Sequence, residues 1–276
     1  MVEYVIANAT VVPVRENLSE GAEQSTQLLF GEVCEVLDRL PRWIKVRSLV
    51  DTQEGWVDFK MVSLASSLIA SSPHRLEAVV ATPMAAATPM DGGADLLLTL
   101  GTRLPNYSHG TFEVLGKQYL IDPTCVNITT AQRSTGEADL QQSDLQRSDL
   151  ATIAQSLLNA PYLWGGKNIM GMDCSGFTQV VYAAMGVNLL RNAREQMTQG
   201  ELIPCLSDAQ PGDLAFFDHA DRDPKATNIS HVGLLLSPTE IIHCSGCVHI
   251  DTIDEQGIHL SDGTLTHHLV CVKRYL

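Results

Sequence analysis

The chain has 276 residues, with 18 Lys and Arg against 32 Asp and Glu, and its formal net charge is -14. Hydrophobic residues make up 45% and charged residues 18%, so the chain can bury a core and is not wholly disordered. Its length permits one large domain or two to three small ones. Nucleic-acid binding draws on clustered Lys and Arg, and the richest run is the short stretch 39–47, so we expect no nucleic-acid partner.

The N-terminus and the cysteines indicate the cellular compartment of the protein. No basic residue precedes Arg15, no apolar secretory segment follows Met1, and no stretch approaches the roughly 18 apolar residues of a membrane span. The 7 cysteines are irregularly spaced and odd in number, which suits reduced thiols better than a disulfide framework. We expect a cytoplasmic protein without a membrane span, and export of a longer precursor is the alternative.

The first half of the chain is typical of small β-barrels. Short β-rich runs recur at intervals of about ten residues between polar turns. We place a first barrel at residues 1–65 and a second at 74–128, with a Ser-rich connector between them. The segment Leu115-Gly116-Lys117-Gln118 predicts a hairpin turn in the second barrel.

Residues 129–148 form a polar linker that could be partly helical. A different pattern of apolar and polar residues follows at 149–276. Ser148 can cap a helix whose apolar face runs from Leu150 to Leu158. A second helix begins near Cys174 and ends at Gly186, and a third covers about residues 192–199. Four strands follow, at 213–217, 231–236, 241–244 and 269–275. Helices first and strands second predict an α+β domain.

The start of the second helix carries the most informative motif, Asp173-Cys174-Ser175-Gly176-Phe177. Unpaired N–H groups and the helix dipole at this position stabilise a thiolate, so we expect the pKa of Cys174 to fall. The Cys174 N–H can point at a developing oxyanion. By itself, a lone cysteine on an amphipathic helix is more often a small core residue.

Two histidines make a catalytic role for Cys174 more favourable than a role in the core. His231 opens one predicted strand and His243 ends the next, so an antiparallel hairpin can bring both beside Cys174. A nucleophile, a base and a group that orients the base would then converge.

These residues resemble the NlpC/p60 cysteine peptidases of bacterial cell-wall metabolism over about 150–276. The resemblance implies a papain-like α+β fold in which Cys174 is the nucleophile, His231 the base and His243 the polar residue that holds His231. It also implies that Tyr162 lies near the nucleophile and shapes the oxyanion region. We expect no metal ion and no organic cofactor. The matching residues are Tyr162, Trp164, Gly165, Gly166, Asp173-Cys174-Ser175-Gly176-Phe177, Arg191, Gln196, residues 211–217, His231-Val232-Gly233 and Ile242-His243.

The resemblance is to the subgroup that carries SH3-like barrels before the catalytic domain and cleaves γ-D-glutamyl-L-diamino acid bonds. It implies a murein-derived peptide substrate, L-Ala-γ-D-Glu-L-Lys or its diaminopimelate counterpart, with a free N-terminal L-Ala. Asp173 and Ser175 match positions that contact its ammonium. In the first barrel, Glu23 is the expected acidic contact and Trp56 the expected aromatic wall; the alternatives are a solvated loop charge for Glu23 and a core residue for Trp56.

Other readings stay open. The same three residues could serve an amidase or acyltransferase, and the barrels could belong to a non-catalytic module that binds the cell wall. Cys244-Ser245-Gly246-Cys247, near His243 and His249, could form a metal site or redox pair, but structural cysteines are the favoured reading.

Five further polar residues also have structural interpretations. Arg191 and Gln196 could contact a substrate carboxylate or serve surface capping and packing. Asp213 is expected to fix a turn, and the pair His267-His268 to form an exposed turn.

Overall fold

The computed structural model describes residues 2–65, 78–129, 138–219 and 228–276. The predicted Ser-rich connector therefore lies outside the described residues, as does the segment 130–137 of the predicted linker. Within the described ranges, no helix is both long enough and apolar enough to cross a bilayer. The cytoplasmic location stays a prediction.

The first unit is a seven-stranded antiparallel sheet with strand order β3-β2-β6-β5-β4-β1-β7. Side chains alternate between half-buried and buried along β2 and β6, because one face of each strand packs into a shared core that includes Val12, Val14 and Val57. The strands are β1 (Tyr4–Ala7), β2 (Val11–Arg15), β3 (Gln24–Leu29), β4 (Val33–Arg39), β5 (Trp43–Ser48), β6 (Glu54–Asp58) and β7 (Val62–Ala65).

The second unit has a four-stranded sheet, β10-β9-β12-β11, and a two-stranded sheet, β13-β8. The predicted hairpin is confirmed: Val114 pairs with Lys117, and Leu115 and Gly116 have positive φ, as a type I′ turn requires. That this unit is SH3-like stays a prediction. Its strands are β8 (Ala78–Val80), β9 (Met84–Pro89), β10 (Leu96–Thr99), β11 (Thr111–Val114), β12 (Lys117–Ile121) and β13 (Val126–Ile128).

The first helix, α1 (Ala138–Gln155), begins within the predicted linker. The expectation that Ser148 caps a helix is wrong, because Ser148 lies inside α1 and its carbonyl accepts a hydrogen bond from the Thr152 hydroxyl. Ala, Leu and Gln before Ser148 favour helix, and they outweigh the Ser and Asp residues among them. Leu150 and Ala154 are buried, so this end of α1 joins the core of the predicted catalytic domain.

The predicted catalytic domain is α+β, as expected. Strands β17 to β22 close into a six-stranded barrel because β22 pairs with both β17 and β21. Helix α2 packs against this barrel through a buried core that includes Phe177 and Val181 on the helix and Val232 and Leu234 on β18. The elements are β14 (Lys167–Asn168), β15 (Gly171–Met172), α2 (Cys174–Ala184), α3 (Ala193–Gln196), β16 (Glu201–Ile203), β17 (Leu214–His219), β18 (His231–Ser237), β19 (Glu240–Ser245), β20 (Cys247–Ile253), β21 (Gly257–His259) and β22 (Leu265–Arg274).

Polar contacts attach the first unit to the predicted catalytic domain next to α2. The Lys167 ammonium lies 3.0 and 3.1 Å from the two carboxylate oxygens of Glu32, and both side chains are buried. Gln27 Oε1 accepts hydrogen bonds from the Lys167 N–H at 2.9 Å and from Asn168 Nδ2 at 2.8 Å. Gln179 on α2 donates to Asp51 at 2.9 Å. The first unit is therefore held beside the helix that carries Cys174.

Candidate active site

Cys174 is the first residue of α2, and Asp173 caps the helix. Asp173 Oδ1 accepts from the Gly176 N–H at 2.7 Å, which satisfies one of the free donors of the first turn. A Cβ on Gly176 would lie 2.1 Å from the Gly166 carbonyl, so only glycine permits this close approach. The Cys174 N–H belongs to the first turn and has no carbonyl partner within the helix, so it is available to an oxyanion.

His231 and His243 meet on the neighbouring strands β18 and β19. His231 Nε2 lies 2.8 Å from His243 Nδ1, and the two rings make an edge-to-face contact with centroids 5.0 Å apart. The Val232 N–H, next to His231, hydrogen-bonds the Cys174 sulfur, so the thiol lies at the start of β18. The structure thus brings the three predicted catalytic residues to one place.

Asp251 extends this series and was missed by the sequence analysis. Its Oδ2 lies 3.2 Å from His243 Nε2. Burial lowers the pKa of His243, which is therefore neutral at pH 7, and its hydrogen bond lowers the pKa of Asp251. A local pattern could have predicted Asp251. His249 and Asp251 are two residues apart on β20, the strand paired with β19, so both side chains lie on one face beside His243.

These contacts assign the tautomers. A carboxylate only accepts, so His243 carries its proton on Nε2 and has a lone pair on Nδ1. That lone pair accepts from His231 Nε2–H, which leaves His231 Nδ1 unprotonated in the neutral ring. Asp251 thus acts through His243 to keep one nitrogen of His231 unprotonated, as a base requires.

The expectation that the pKa of Cys174 falls is wrong. Burial, and then the Asp173 carboxylate, raise the pKa of this thiol to about 12. The helix terminus and the Val232 N–H favour the thiolate, but the loss of water around a sulfur that is only 8% exposed outweighs them. The resting nucleophile is a thiol, so the base must remove its proton as it attacks.

Asp173 and Ser175, the predicted ammonium contacts, lie in a buried network around Arg191. Arg191 donates from Nη1 to Asp173 Oδ1 at 3.0 Å and from Nη2 to Asp173 Oδ2 at 2.7 Å. It also donates to Ser175 Oγ at 2.9 Å, and Asp173 Oδ2 accepts from the Gly165 N–H at 2.8 Å. The Asp173 charge is thus already compensated, and its contact with a substrate amine stays a prediction.

Arg191 and Gln196 are buried, so the interpretation as surface residues is wrong. Arg191 Nε donates to Thr26 Oγ1 of the first unit at 2.8 Å, which links that unit to the capping residue of α2. Gln196 donates to the Ser175 carbonyl at 3.0 Å and accepts from the Thr178 hydroxyl at 2.8 Å. Both side chains hold the first turns of α2 in place.

Tyr162 lies on the loop before β14, and its side chain is close enough to Cys174 and Asp173 for the ionised forms of these residues to act on it. Burial, Cys174 and Asp173 raise the pKa of this phenol, so it remains a neutral hydrogen-bond donor. Its predicted role at the oxyanion stays a prediction.

The same loop contacts the first unit. The Trp164 carbonyl accepts from Gln24 Nε2 at 3.1 Å. Gly165 has a φ of +72°, and a Cβ there would lie 2.4 Å from the Gln24 carbonyl, so this contact requires glycine.

The structure places Glu23 and Trp56 on the first unit. Glu23 is exposed just before β3, and Trp56 is half-buried on β6, where it pairs with Arg15 and Lys45. Their contacts with a substrate stay predictions. The first-unit side chains that hydrogen-bond the catalytic domain are Gln24, Thr26, Gln27, Glu32, Asp51 and Gln53.

Three other expectations can be compared with contacts in the structure. His267 is not in an exposed turn: it lies on β22, half-buried, and stacks on His231 with centroids 4.4 Å apart. Asp213 is fully buried and pairs with Arg274 at 2.7 Å, besides accepting from the Gln210 N–H in the predicted turn. Cys244 is a buried thiol that donates to the Met172 carbonyl, a structural role.

The chain is similar to two families and to proteins that contain them. Residues 159–266 match the NlpC/P60 family, and residues 14–60 match the bacterial dipeptidyl-peptidase SH3 domain. The gamma-D-glutamyl-L-lysine dipeptidyl-peptidase of Bacillus subtilis is 29% identical over 79% of this chain and 71% of its own. The protein of the same name from Bacillus cereus is 28% identical over 82% of this chain and 68% of its own.

A solved structure has the same fold. The crystal structure of an NlpC/P60 family protein from Bacillus cereus superposes with a TM-score of 0.76 and covers 99% of both chains at 20% identity. The predicted α+β fold with an SH3-like unit before it is confirmed. Residues 159–266 are therefore an NlpC/P60 domain, and a bacterial dipeptidyl-peptidase SH3 domain at residues 14–60 precedes it.

Proposed function

We propose that this protein is a cysteine peptidase that hydrolyses the γ-D-glutamyl-L-lysine or γ-D-glutamyl-L-diaminopimelate bond of murein-derived peptides. The observation that carries the proposal is the hydrogen-bonded pair His231–His243 beside a buried thiol at a helix N-terminus. The names of the two Bacillus relatives, together with the SH3 domain shared with bacterial dipeptidyl-peptidases, support the choice of bond.

The first chemical step is acylation. His231 Nδ1 takes the thiol proton as the Cys174 sulfur attacks the γ-glutamyl carbonyl, and a carbon–sulfur bond forms. The carbonyl becomes an oxyanion, which the Cys174 N–H at the start of α2 can stabilise, with the Tyr162 hydroxyl as a second donor. Protonated His231 then gives its proton to the departing amine of the diamino acid, and the carbon–nitrogen bond breaks.

The second step is hydrolysis of the thioester. His231 Nδ1 takes a proton from water, the hydroxide attacks the carbonyl carbon, and the Cys174 thiol leaves with that proton. Throughout both steps, His243 accepts from His231 Nε2–H and keeps the ring in one orientation. Asp251 stabilises the arrangement through His243 Nε2.

We also propose that the substrate begins with a free L-alanine, whose ammonium selects short stem peptides. Asp173 alone is a weak ammonium site, because Arg191 already neutralises it. A second carboxylate is needed, and Glu23, next to the Gln24 contact with the Trp164 loop, is our candidate. A blocked amine would lose its charge-assisted hydrogen bonds and leave that carboxylate unpaired.

The experiment compares L-Ala-γ-D-Glu-L-Lys with its N-acetylated form, using mass spectrometry of the products and Cys174→Ala as the inactive control. We expect release of free lysine from the first peptide only. No cleavage of either peptide contradicts the proposed bond, whereas equal rates on both contradict the role of the amine alone. Transfer of the acyl group to an added amine in place of water would indicate the acyltransferase alternative.

A further inference from the structure

Three potential metal ligands, one of them the catalytic His243, converge on the side of that ring away from His231, on the neighbouring strands β19 and β20. His243 lies directly opposite His249, and Asp251 is two residues further along the same strand face. Asp251 Oδ2 lies 3.2 Å from His243 Nε2 and 3.1 Å from His249 Nε2. The three ligand atoms all lie within 4.8 Å of one another.

The contacts of His249 point to a positive charge at this position. His249 Nδ1 lies 2.8 Å from the Cys247 carbonyl, which only accepts, so Nδ1 carries the proton. In the neutral ring, Nε2 then presents a lone pair to the Asp251 carboxylate only 3.1 Å away. Two acceptors this close repel each other unless a cation, either a second ring proton or a metal ion, lies between them.

The set suits a zinc-type ion. Zn²⁺ binds imidazole nitrogen and carboxylate oxygen at roughly 2.0–2.2 Å, which in a tetrahedral site separates ligand atoms by about 3.3–3.6 Å. The observed separations of 3.1 and 3.2 Å lie just below that range. The Cys247 carbonyl supplies the outer contact that typically orients a ligating histidine.

The position is also accessible. The side chain of His249 is 31% exposed and that of Asp251 is 16% exposed, whereas that of His243 is 2% exposed. An ion can therefore reach the site from the side of His249, opposite to the contact between His243 and His231.

We propose that His243, His249 and Asp251 bind a divalent transition metal such as Zn²⁺ and that its binding switches off the catalytic base. The regulatory consequence rests on the proposed function, but the metal site itself does not. The switch follows from the tautomers. An ion on His243 Nε2 forces the proton of that ring onto Nδ1, which then donates to His231 Nε2 instead of accepting from it.

Both rings stay neutral in this rearrangement. The His231 Nε2 proton passes to His243 Nδ1, the His243 Nε2 proton leaves to water, and a proton from water returns to His231 at Nδ1. His231 Nδ1 is then a donor and cannot take the proton of Cys174. The metal therefore inhibits without contacting either the thiol or the substrate.

Direct binding tests the site without any substrate. Zn²⁺ is titrated into the metal-free full chain against a chromophoric chelator, and Co²⁺ absorption reports the ligand geometry. The variant is His249→Gln, and the matched control is His259→Gln, since His259 also hydrogen-bonds a single aspartate, Asp254, at 2.9 Å. We expect one ion in the wild type and in His259→Gln, with affinity at least about 10- to 100-fold lower in His249→Gln.

Two results would overturn the site. One is equal Zn²⁺ affinity in the wild type and in a folded His249→Gln, with circular dichroism as the folding check. The other is loss of the ion in Cys174→Ala, which would place it on the catalytic thiol. For the switch, we expect Zn²⁺ to stop peptide turnover by the wild type and a chelator to restore that turnover. His249→Gln should keep its turnover at the same Zn²⁺ concentration. Equal inhibition of both proteins contradicts the switch.

Discussion

The Arg191 guanidinium spans both carboxylate oxygens of Asp173, at 3.0 and 2.7 Å, and both side chains are buried. Since Asp173 caps α2 at Cys174 and Arg191 also donates to Thr26, one ion pair joins the nucleophile helix to the SH3 domain. Burying two charges costs free energy, and this geometry offsets it with a full set of hydrogen bonds. The pair therefore maintains the position of Cys174 relative to the SH3 domain.

Arg191→Met tests this pair. The substitution leaves the Asp173 carboxylate buried without its counter-ion, so we expect the free energy of unfolding to fall by about 3–5 kcal/mol in urea denaturation. The control is Arg39→Met, whose partner Glu3 is exposed, and there we expect a loss of only about 0–1 kcal/mol. Equal small losses in both variants would show that the buried pair contributes little.

The sequence predicted the parts of the site that are local in the chain. The cap at Asp173 and the nucleophile at Cys174 lie within one motif, and His231 and His243 are joined by a single hairpin. The contact between Thr26 and Arg191 spans 165 positions, and no local pattern connects them. Two domains must dock before the pair forms, so it could not be predicted from periodicity.

The errors have physical causes. The pKa of Cys174 depends on how deeply α2 is packed, and a motif shows the helix terminus but not the depth. Ser148 is equally compatible with a cap and with the interior of a helix, and the surrounding helix-forming residues decided between them. His267 lies in β22, the longest strand of the barrel. Two adjacent histidines interrupt the alternation of polar and apolar residues that would have predicted a strand at this position.

A second prediction concerns the contact between Lys167 and Glu32. Lys167→Met leaves Glu32 buried and unpaired, so we expect it to lower the free energy of unfolding by about 3–5 kcal/mol. Adding Glu32→Leu removes the unpaired buried charge and should recover most of the lost free energy of unfolding. A double-mutant cycle in urea measures the coupling. If Lys167→Met alone costs less than about 1 kcal/mol, Glu32 is solvated or protonated in the variant.

A third prediction follows from the raised pKa of Cys174. With a pKa of about 12, the resting thiol has almost no thiolate at neutral pH. The rate of its alkylation by iodoacetamide should therefore rise about tenfold per pH unit from about pH 6 to pH 9, without a plateau. Peptide mapping separates Cys174 from the exposed Cys205, which serves as the control in the same sample. A plateau below pH 7 would mean that a thiolate–imidazolium pair already exists before substrate binds.

A fourth prediction tests Asp251 as a positioning residue. In Asp251→Asn, the amide can donate to His243 Nε2, which stabilises the tautomer with its proton on Nδ1 and leaves His231 with the wrong nitrogen protonated. We expect kcat to fall by about 10- to 100-fold with KM unchanged, because no substrate contact is lost. Asp251→Glu should recover part of the loss, and Asp254→Asn, at the exposed partner of His259, should have no effect. A rise in KM at constant kcat would instead assign Asp251 to substrate binding, and an unchanged kcat would remove it from the catalytic series.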